Sequence, residues 1–512
     1  MIGVILYCVY IQYIHNKIVM MLWTKHANFN IRAHNVLYLY SMFQARPHSN
    51  QEDYTMYQID FNKPIHIHFI GIGGISMSGL AELLLSENFK ISGSDNKESA
   101  LTRQLSDAGC NIFIGQKADN IDSSVDACVY TAAIHPDNPE YARCRELGIP
   151  MLSRAELLGQ IMKNYRTAIG VSGTHGKTTT TSMLSEILMS AGTDPTISVG
   201  GMLPSIGGNM RIGHSELFLT EACEYTNSFL SFHPTMNIIL NVEEDHLDFF
   251  KDLDDIRASF KKYTELLPDD GYLVINSGIE DYSYFYKDSN CNVITFGLNP
   301  QTSNYSATDF HIDDKGDYCY TLLYNNEEKC KVALKVPGEH NVLNSLAAIA
   351  AALGIRLDTA VKGIASYSGV DRRFQIKGKC NGFTIIDDYA HHPAEITATL
   401  KAAQHYPHNK LWCIFQPHTY TRTKAFLPEF AKALAHADHV VLAPVYSARE
   451  QDIYGVSSAD IQKLILGSGT PCEYFMTFPE IEAFIKDNCS EGDVVITMGA
   501  GNILEVGEDL LK

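Results

Sequence analysis

Between residues 65 and 512 the apolar positions alternate between two patterns: short unbroken runs, and longer stretches where apolar residues recur every three to four positions. The first pattern predicts strands buried on both faces, the second helices with one buried stripe. Residues 65–70 form the first run, stop at Gly71-Ile72-Gly73-Gly74, and lead into a helix through Leu85. Further strands are predicted over 90–95 and 125–130. Strand, helix, strand at this spacing implies right-handed parallel α/β units. A second series opens at Thr167 and a third near Phe383, where 383–386, 411–415, 440–443 and 494–497 read as strands. The pattern predicts an α/β chain in three parts, 61–166, 167–370 and 371–512.

Residues 1–60 have a different character, rich in Tyr, His, Asn and Met and without clear helix caps. The apolar start carries no leading basic residue and no small-residue cleavage site, which argues against a secretory signal. Gln12, His15, Asn16 and Lys17 interrupt it before ~20 apolar residues accumulate, which argues against a spanning helix. Met56 leads straight into the first strand and is the expected start of the working chain. Residues 1–55 are expected to be dispensable for activity.

Composition narrows the class. The chain has 512 residues, 45% hydrophobic and 19% charged, which suits a globular protein and excludes a mainly disordered one. At ~100–200 residues per domain the length suggests about three domains. A net charge of −19 argues against a protein that coats nucleic acid. It leaves nucleotide binding open, because a few local donors hold phosphates. The 12 cysteines contain no Cys-x-x-Cys pair and run from Cys8 to Cys489, so they read as reduced thiols of a cytoplasmic protein.

The strongest chemical signal is a phosphate loop. A predicted strand over 167–172 runs into Gly173-Thr174-His175-Gly176-Lys177-Thr178-Thr179, then a helix whose Met183, Leu184, Ile187 and Leu188 form one stripe before Gly192. Glycines let backbone N–H groups approach phosphates, and the helix N-terminus adds positive charge. Lys177 can reach the outer phosphates, and the Thr178 hydroxyl suits Mg²⁺. The spacing is shorter than the general G-x-x-x-x-G-K-[ST] pattern. Acidic runs then end two strands: Glu221-Ala222-Cys223-Glu224-Tyr225 after 217–220, and Glu243-Glu244-Asp245-His246-Leu247-Asp248 after 237–242. Both fall on the loop-bearing face of a parallel sheet. Glu221 and His246 are therefore candidate metal ligands beside Thr178. The first glycine loop has Ser76 where a dinucleotide fingerprint has its third glycine, and Asp95 follows at ribose-binding distance. It supports a nucleotide-diphosphate site. A nicotinamide-dependent dehydrogenase is the rival reading of that loop, and it leaves 173–179 without a purpose.

Eight segments taken together resemble the Mur ligases, the ATP-dependent amide-forming enzymes of peptidoglycan precursor synthesis. They are GIGGISMSGLAE (71–82), GTHGKTTTT (173–181), EACEY (221–225), EDHLD (244–248), GEHNVLN (338–344), DRRF (371–374), DDYAHHP (387–393) and QPHTYTRT (416–423). The resemblance covers roughly 60–512, and the short loop spacing is the Mur form. The MSGLAE continuation resembles the alanine-adding branch and its close relatives.

The resemblance implies a three-domain Mur ligase architecture. A Rossmann-like N-terminal domain would hold a UDP-sugar, a central P-loop ATPase domain ATP, and a C-terminal Rossmann-like domain the incoming amino acid. It implies an ATP- and Mg²⁺-dependent cytoplasmic ligase, monomer or dimer, that joins L-alanine to the lactyl carboxylate of UDP-N-acetylmuramate through an acyl phosphate. Neither nucleic acid nor stable membrane insertion is expected. Rivals are a recycling ligase adding a murein peptide to the same sugar, and a nucleotide-switched binding protein that joins nothing.

Residue roles follow from the same resemblance. Lys177, His246 and Arg372 would be catalytic, and Thr178, Glu221 and His246 would bind metal. His340 and Asn341, with Asn344 nearby, would lie at the adenine, and Asp387 and Tyr389 would face the nucleotide. Gly73, Gly74 and Asp95 would serve the UDP end, with Thr131 and His135 beside them and Asn209 toward the muramyl group. His418 and Arg422 would lie on the alanine and sugar-carboxylate side. His391 and His392 are expected to be structural or solvent-facing. Arg372 and Arg373 are not separated by sequence, and no carbamylated lysine is assigned, since Lys261 and Lys262 also suit the polar face of a helix.

Overall fold

The computed structural model describes residues 56–131, 133–313, 317–448 and 450–512. The readings made for residues 1–55 lie outside the described residues. Three sheets follow one another along the chain, in keeping with the α/β alternation of the apolar runs.

The first sheet has five parallel strands in the order Asn111–Ile114, Lys90–Asp95, His66–Ile70, Ala127–Tyr130 and Met151–Ser153. The order reverses at His66–Ile70. The crevice beyond the carboxyl ends of that strand and Ala127–Tyr130 is therefore a ready ligand site.

The second sheet has ten strands. Its parallel centre contains Thr167–Ser172 between Leu217–Glu221 and Met236–Ile239. One edge carries the antiparallel arm Tyr305–Ile312, Tyr318–Tyr324 and Glu327–Leu334, and the other the hairpin Thr196–Leu203 with Gly208–Arg211. The strand expected over 237–242 is Met236–Ile239. The chain leaves the ladder there because the Asn241 side chain turns to the phosphate loop, accepting from His175 N at 2.8 Å and donating to His175 O at 3.0 Å.

The helix Lys177–Ser190 buries Met183, Leu184, Ile187 and Leu188 against this sheet and the helices Glu339–Ala351 and Leu357–Ser366. Each such side chain contributes roughly 1.5–3 kcal/mol by burial. Gly363 lets the neighbouring helix approach, since a Cβ there would stand 2.5 Å from Ile187 Cα.

The third sheet has six strands: antiparallel Gln375–Cys380, then parallel Phe383–Asp388, Val494–Met498, Leu411–Phe415, His439–Leu442 and Cys472–Tyr474. Pro393 starts the helix Pro393–Ala403, where its missing N–H leaves no bond unmade. The described cysteines are all unpaired.

Candidate active site

The phosphate loop is held open by two glycines. Gly173 and Gly176 have φ of +142° and +85°. A Cβ on Gly176 would stand 2.5 Å from Asn344 Oδ1, and one on Gly173 2.9 Å from Leu240 Cβ. Gly176 is the N-cap of the following helix and offers no capping side chain, so the first helical N–H groups are left for an anion.

Lys177 opens that helix, and its Nζ folds back over the loop. It donates to Gly173 O at 2.5 Å, Thr174 O at 3.2 Å and Glu224 Oε2 at 3.0 Å. Burial would lower the lysine pKa, but Glu224 outweighs it and raises it, so the ammonium is held charged. Thr178 Oγ1 donates to Glu221 Oε2 at 3.1 Å, and Gly200 N donates to Glu221 Oε1 at 2.5 Å. A hydroxyl and a carboxylate form a hard oxygen donor set that fits Mg²⁺.

His246 follows the next strand with φ of +53°. Its Nε2 lies 3.7 Å from Glu224 Oε1 and 3.8 Å from Asp245 Oδ2. Burial lowers its pKa more than Asp245 and Glu224 raise it, so the ring is neutral and available as a ligand.

The C-terminal part closes over this centre. Arg422 donates from Nε and Nη2 to Asp245 Oδ1. His418 Nδ1 lies 3.4 Å from Arg422 Nη1, and the Thr419 between them has φ of +66°. Glu395, in the first turn of Pro393–Ala403, reaches His175 Nδ1 at 3.2 Å, His391 Nδ1 at 3.4 Å and Arg373 Nη1 at 3.8 Å. His175 is thus gripped by Glu395 on one side and by Glu243, 3.6 Å from Nε2, on the other. Burial would lower its pKa, yet the two carboxylates hold it at about 9.

His175, Glu243 and His392 also bring ligand atoms within 4.8 Å of one another. Their protons argue against a metal. His175 is charged, and His392 Nδ1 accepts from Ala394 N at 3.3 Å, which leaves the proton on its Nε2. His392 is buried as a helix cap, and His391 is mostly buried against Glu395.

A cavity of about 320 Å³ lies between the second and third sheets. His340, Asn341 and Asn344 line it from one helix, and Arg373 and Asp388 from the other side. Burial pushes His340 down to about 4, so it is neutral. Arg372 and Asp387, expected at the nucleotide, are not on this wall. They bond each other, Nε to Oδ2 at 3.0 Å, and Arg372 Nη2 donates to Gly499 O at 2.6 Å. With φ of +62° at Arg372, its neighbour Arg373 faces the cavity instead. Tyr389 lies under both guanidinium groups, its ring centroid 4.8 Å from Arg372 Cζ and 5.2 Å from Arg373 Cζ.

A second cavity, about 370 Å³, occupies the crevice of the first sheet. Asp95, Thr131 and His135 line it with Gly71, Gln116 and Asn138. Gly73 N donates to Asp95 Oδ2 at 3.0 Å, so Asp95 also fixes the glycine loop. Gly74 caps the helix Ile75–Ser86 without a side chain. Asn209 is away from the cavity and donates to Ile75 O at 2.7 Å, which ties the second part of the chain to the first.

Three domain models match the chain: "Mur ligase family, catalytic domain" over 66–166, "Mur ligase middle domain" over 171–352, and "Mur ligase, glutamate ligase domain" over 372–501. The chain is 61% identical over 459 residues to the UDP-N-acetylmuramate–L-alanine ligase of Lachnospira eligens, across 89% of this chain and 100% of that protein. The chain belongs to the Mur ligase family. A second Mur ligase of the same printed name, from Agathobacter rectalis, is 58% identical over the same shares. Among solved structures, the UDP-N-acetylmuramate–alanine ligase of Thermotoga maritima is similar at 31% identity and a TM-score of 0.74, across 87% of this chain and 98% of that one. Mur ligases are ATP-dependent, which agrees with the loop around Lys177. No helix among the described residues is long and apolar enough to cross a membrane.

Three groups of this Mur ligase site escaped sequence reasoning. Glu224 holds Lys177, Asp245 holds Arg422, and Glu395 holds His175. The first two stand in the acidic runs already singled out, where their charge was visible but their partners were not. Glu395 had one signal, its place as the acidic residue three after the helix cap His392.

Proposed function

We propose that the chain is an ATP-dependent ligase that joins L-alanine to the lactyl carboxylate of UDP-N-acetylmuramate. The observation that carries this reading is 61% identity along the whole length of a relative bearing that activity in its name. The convergence of Lys177, Thr178 and Glu221 at the phosphate loop supports it.

A carboxylate is a poor electrophile and must first be activated. One oxygen of the lactyl carboxylate attacks the γ-phosphorus of ATP, the bond to the β-phosphate oxygen breaks, and ADP leaves. The neutral amine of L-alanine attacks the carbonyl carbon of the acyl phosphate. The tetrahedral adduct loses its amine proton and expels phosphate, which carries away one carboxylate oxygen.

Two anions meet in the first step, so charge neutralisation and alignment dominate. Lys177 steadies the transferring phosphoryl group. Glu224 keeps that ammonium aimed across the loop. Thr178 and Glu221 would hold one Mg²⁺ and His246 a second, and bound metal would supply positive charge to the phosphate oxygens. His340 and Asn341 receive the adenine, and Arg373 comes to the nucleotide from the closing domain. Arg372, bonded to Asp387, steadies the loop that carries Arg373 and Tyr389. Arg422 and His418 stand where the amine and the sugar carboxylate meet. The sugar nucleotide enters at Asp95, Thr131 and His135.

The test is phosphate release with ATP, UDP-N-acetylmuramate and an amine, the sugar carboxylate labelled with ¹⁸O. Label in the phosphate, dependent on L-alanine, is expected. Turnover with a murein tripeptide and not with L-alanine would assign the recycling activity instead. Phosphate release without either co-substrate would leave only an ATPase.

A further inference from the structure

The helix Pro139–Leu147 buries a carboxylate in its first turn. Glu140 is 0% exposed, and so is His68 of the strand His66–Ile70 beside it, whose Nε2 lies 3.7 Å from Glu140 Oε2. A buried ion pair adds little stability that apolar side chains of the same volume would not. The carboxylate oxygens are nevertheless fully engaged. Oε2 accepts from Ser94 Oγ at 2.5 Å, and Oε1 accepts from Asn120 Nδ2 at 2.5 Å and Lys117 N at 3.4 Å. Burial would raise the Glu140 pKa, but His68, Ser94 and Asn120 outweigh it and hold the carboxyl below its usual range.

The protons behind Glu140 can be counted. His66 Nδ1 lies 2.8 Å from Ser124 O, a carbonyl that only accepts, so Nδ1 carries hydrogen. His66 Nε2 and His68 Nδ1 both meet Ser92 Oγ, at 2.8 and 2.9 Å. A hydroxyl has one hydrogen, so one of these two nitrogens accepts it and the other donates. If His66 accepts, His68 donates from Nδ1, and a neutral His68 would turn a bare lone pair toward the carboxylate. If His68 accepts, His66 donates from both nitrogens and is an imidazolium. In either arrangement a hydrogen on His68 Nε2 requires one proton beyond those of two neutral rings. That nitrogen has no hydrogen-bond partner and faces Glu140, where the extra proton supplies the countercharge a buried carboxylate needs. The chain opens toward water at Ser124, which is exposed.

Glu140 holds three walls of the first-sheet cavity and lines none of it. Ser94 directly precedes Asp95 at the end of its strand. Asn120 also donates to Gly115 O at 2.9 Å, beside Gln116. Asn138 caps the glutamate's own helix, accepting from Glu140 N at 3.0 Å and donating to Gln116 Oε1 at 2.6 Å. Asp95, Gln116 and Asn138 line the cavity from three separate segments, and the segments meet at one carboxylate.

We propose that Glu140 is a positioning residue of the sugar-nucleotide cavity, and that the extra proton of the His66–Ser92–His68 chain makes its hold on the three walls dependent on pH. While the proton is present the carboxylate is balanced and the walls are fixed. As pH rises the proton leaves, a buried charge is stranded, and the walls loosen. Affinity is therefore full at the acidic end and lost toward the alkaline end. The other titratable groups facing the chain are Lys90, Asp122 and Asp126, all exposed near His66, and the buried thiols of Cys128 and Cys144 near Glu140. The proposal rests on the sugar-nucleotide reading above and extends it to a group that touches no ligand.

Calorimetric titration with UDP-N-acetylmuramate between pH ~6 and ~9 tests it on wild type, Glu140→Gln, His68→Gln and the double variant, with ATP at pH ~7 as the control ligand. The sugar nucleotide has no group that titrates in this range. His135 lines the cavity in every variant and sets the baseline slope. Wild type is expected to lose about tenfold in affinity across the range, beyond that baseline. Glu140→Gln should bind about tenfold more weakly at pH ~6 and keep only the baseline slope. Its loss should fall on KM for the sugar nucleotide rather than on kcat, with ATP affinity unaffected. His68→Gln should also be weak and flat, and the double variant tighter than His68→Gln because no charge is stranded. A wild-type slope kept in both single variants overturns the proposal and assigns the pH dependence to His135. Wild-type affinity in Glu140→Gln, or equal losses for sugar nucleotide and ATP, overturns the positioning role. If Glu140→Gln does not fold, His68→Gln is read alone, and a wild-type slope there overturns the claim. Absence of binding by wild type at every pH would overturn the sugar-nucleotide reading, and this proposal with it.

Discussion

Arg422 donates through both Nε and Nη2 to a single oxygen of Asp245, at 3.2 and 2.9 Å, and the two side chains are only 9% and 8% exposed. The bond joins the third sheet's loop to the acidic strand end of the second. Burial would raise the Asp245 pKa, but Arg422 and the neighbouring histidines hold it well below the usual carboxylate range. Arg422→Met should destabilise the protein by about 3–5 kcal/mol, since it strands a buried carboxylate. Adding Asp245→Asn should restore part of that loss. Urea unfolding of the two single variants and the double variant measures the coupling, and a value under ~0.5 kcal/mol would show that the pair is not a clamp.

Lys177→Met should lower kcat by ~10²–10³, the usual loss for one charge-stabilising group. It should also lower Tm, because Glu224, 2% exposed, loses its cation. Adding Glu224→Gln should return the Tm and leave kcat low. Recovery of turnover in the double variant would mean that the lysine only balances Glu224.

The His175 contact sets a pH dependence. Its pKa is raised in the folded chain, to about 9 from an ordinary value near 6.5. A raised pKa gives stability that is full below ~6.5 and lost as pH climbs through about 9. The Tm difference between wild type and His175→Gln should therefore be constant below pH ~6.5 and shrink through pH 9. A difference that does not change with pH would show the imidazole to be neutral in the native state.

Gly176→Ala should weaken ATP binding about tenfold or more, because the new methyl meets Asn344 Oδ1 at 2.5 Å and the backbone sits at φ +85°. Gly192→Ala is the control. Its φ is +68° and nothing lies within 4 Å, so it should lose roughly 1 kcal/mol of stability and no affinity. Equal effects of the two on nucleotide titrations would remove the steric argument.

Much of this was legible in the sequence because the phosphate loop is contiguous: strand, turn and helix follow within Thr167–Ser172 and Lys177–Ser190, and their signals reinforce one another. The antiparallel arm was not, since Tyr305–Ile312 and Glu327–Leu334 are exposed along much of their length and lack an apolar run. Partners across the fold were hidden for a different reason. Glu224 lies 47 residues from Lys177, and Asp245 lies 177 from Arg422, distances over which spacing carries no geometry. Arg372 and Arg373 were inseparable because one backbone torsion at Arg372 decides which of them turns to the cavity between the second and third sheets.

His246, Arg372 and Thr419 share a left-handed backbone that glycine would adopt more easily. An engineer breeding this ligase for heat tolerance would meet the consequence first. Selection for survival alone would favour glycine at His246, and the winners would be sturdy but without the imidazole beside Glu224. At Arg372 and Thr419 the relief is offset, because the first side chain bonds Asp387 and the second accepts from Arg422 N.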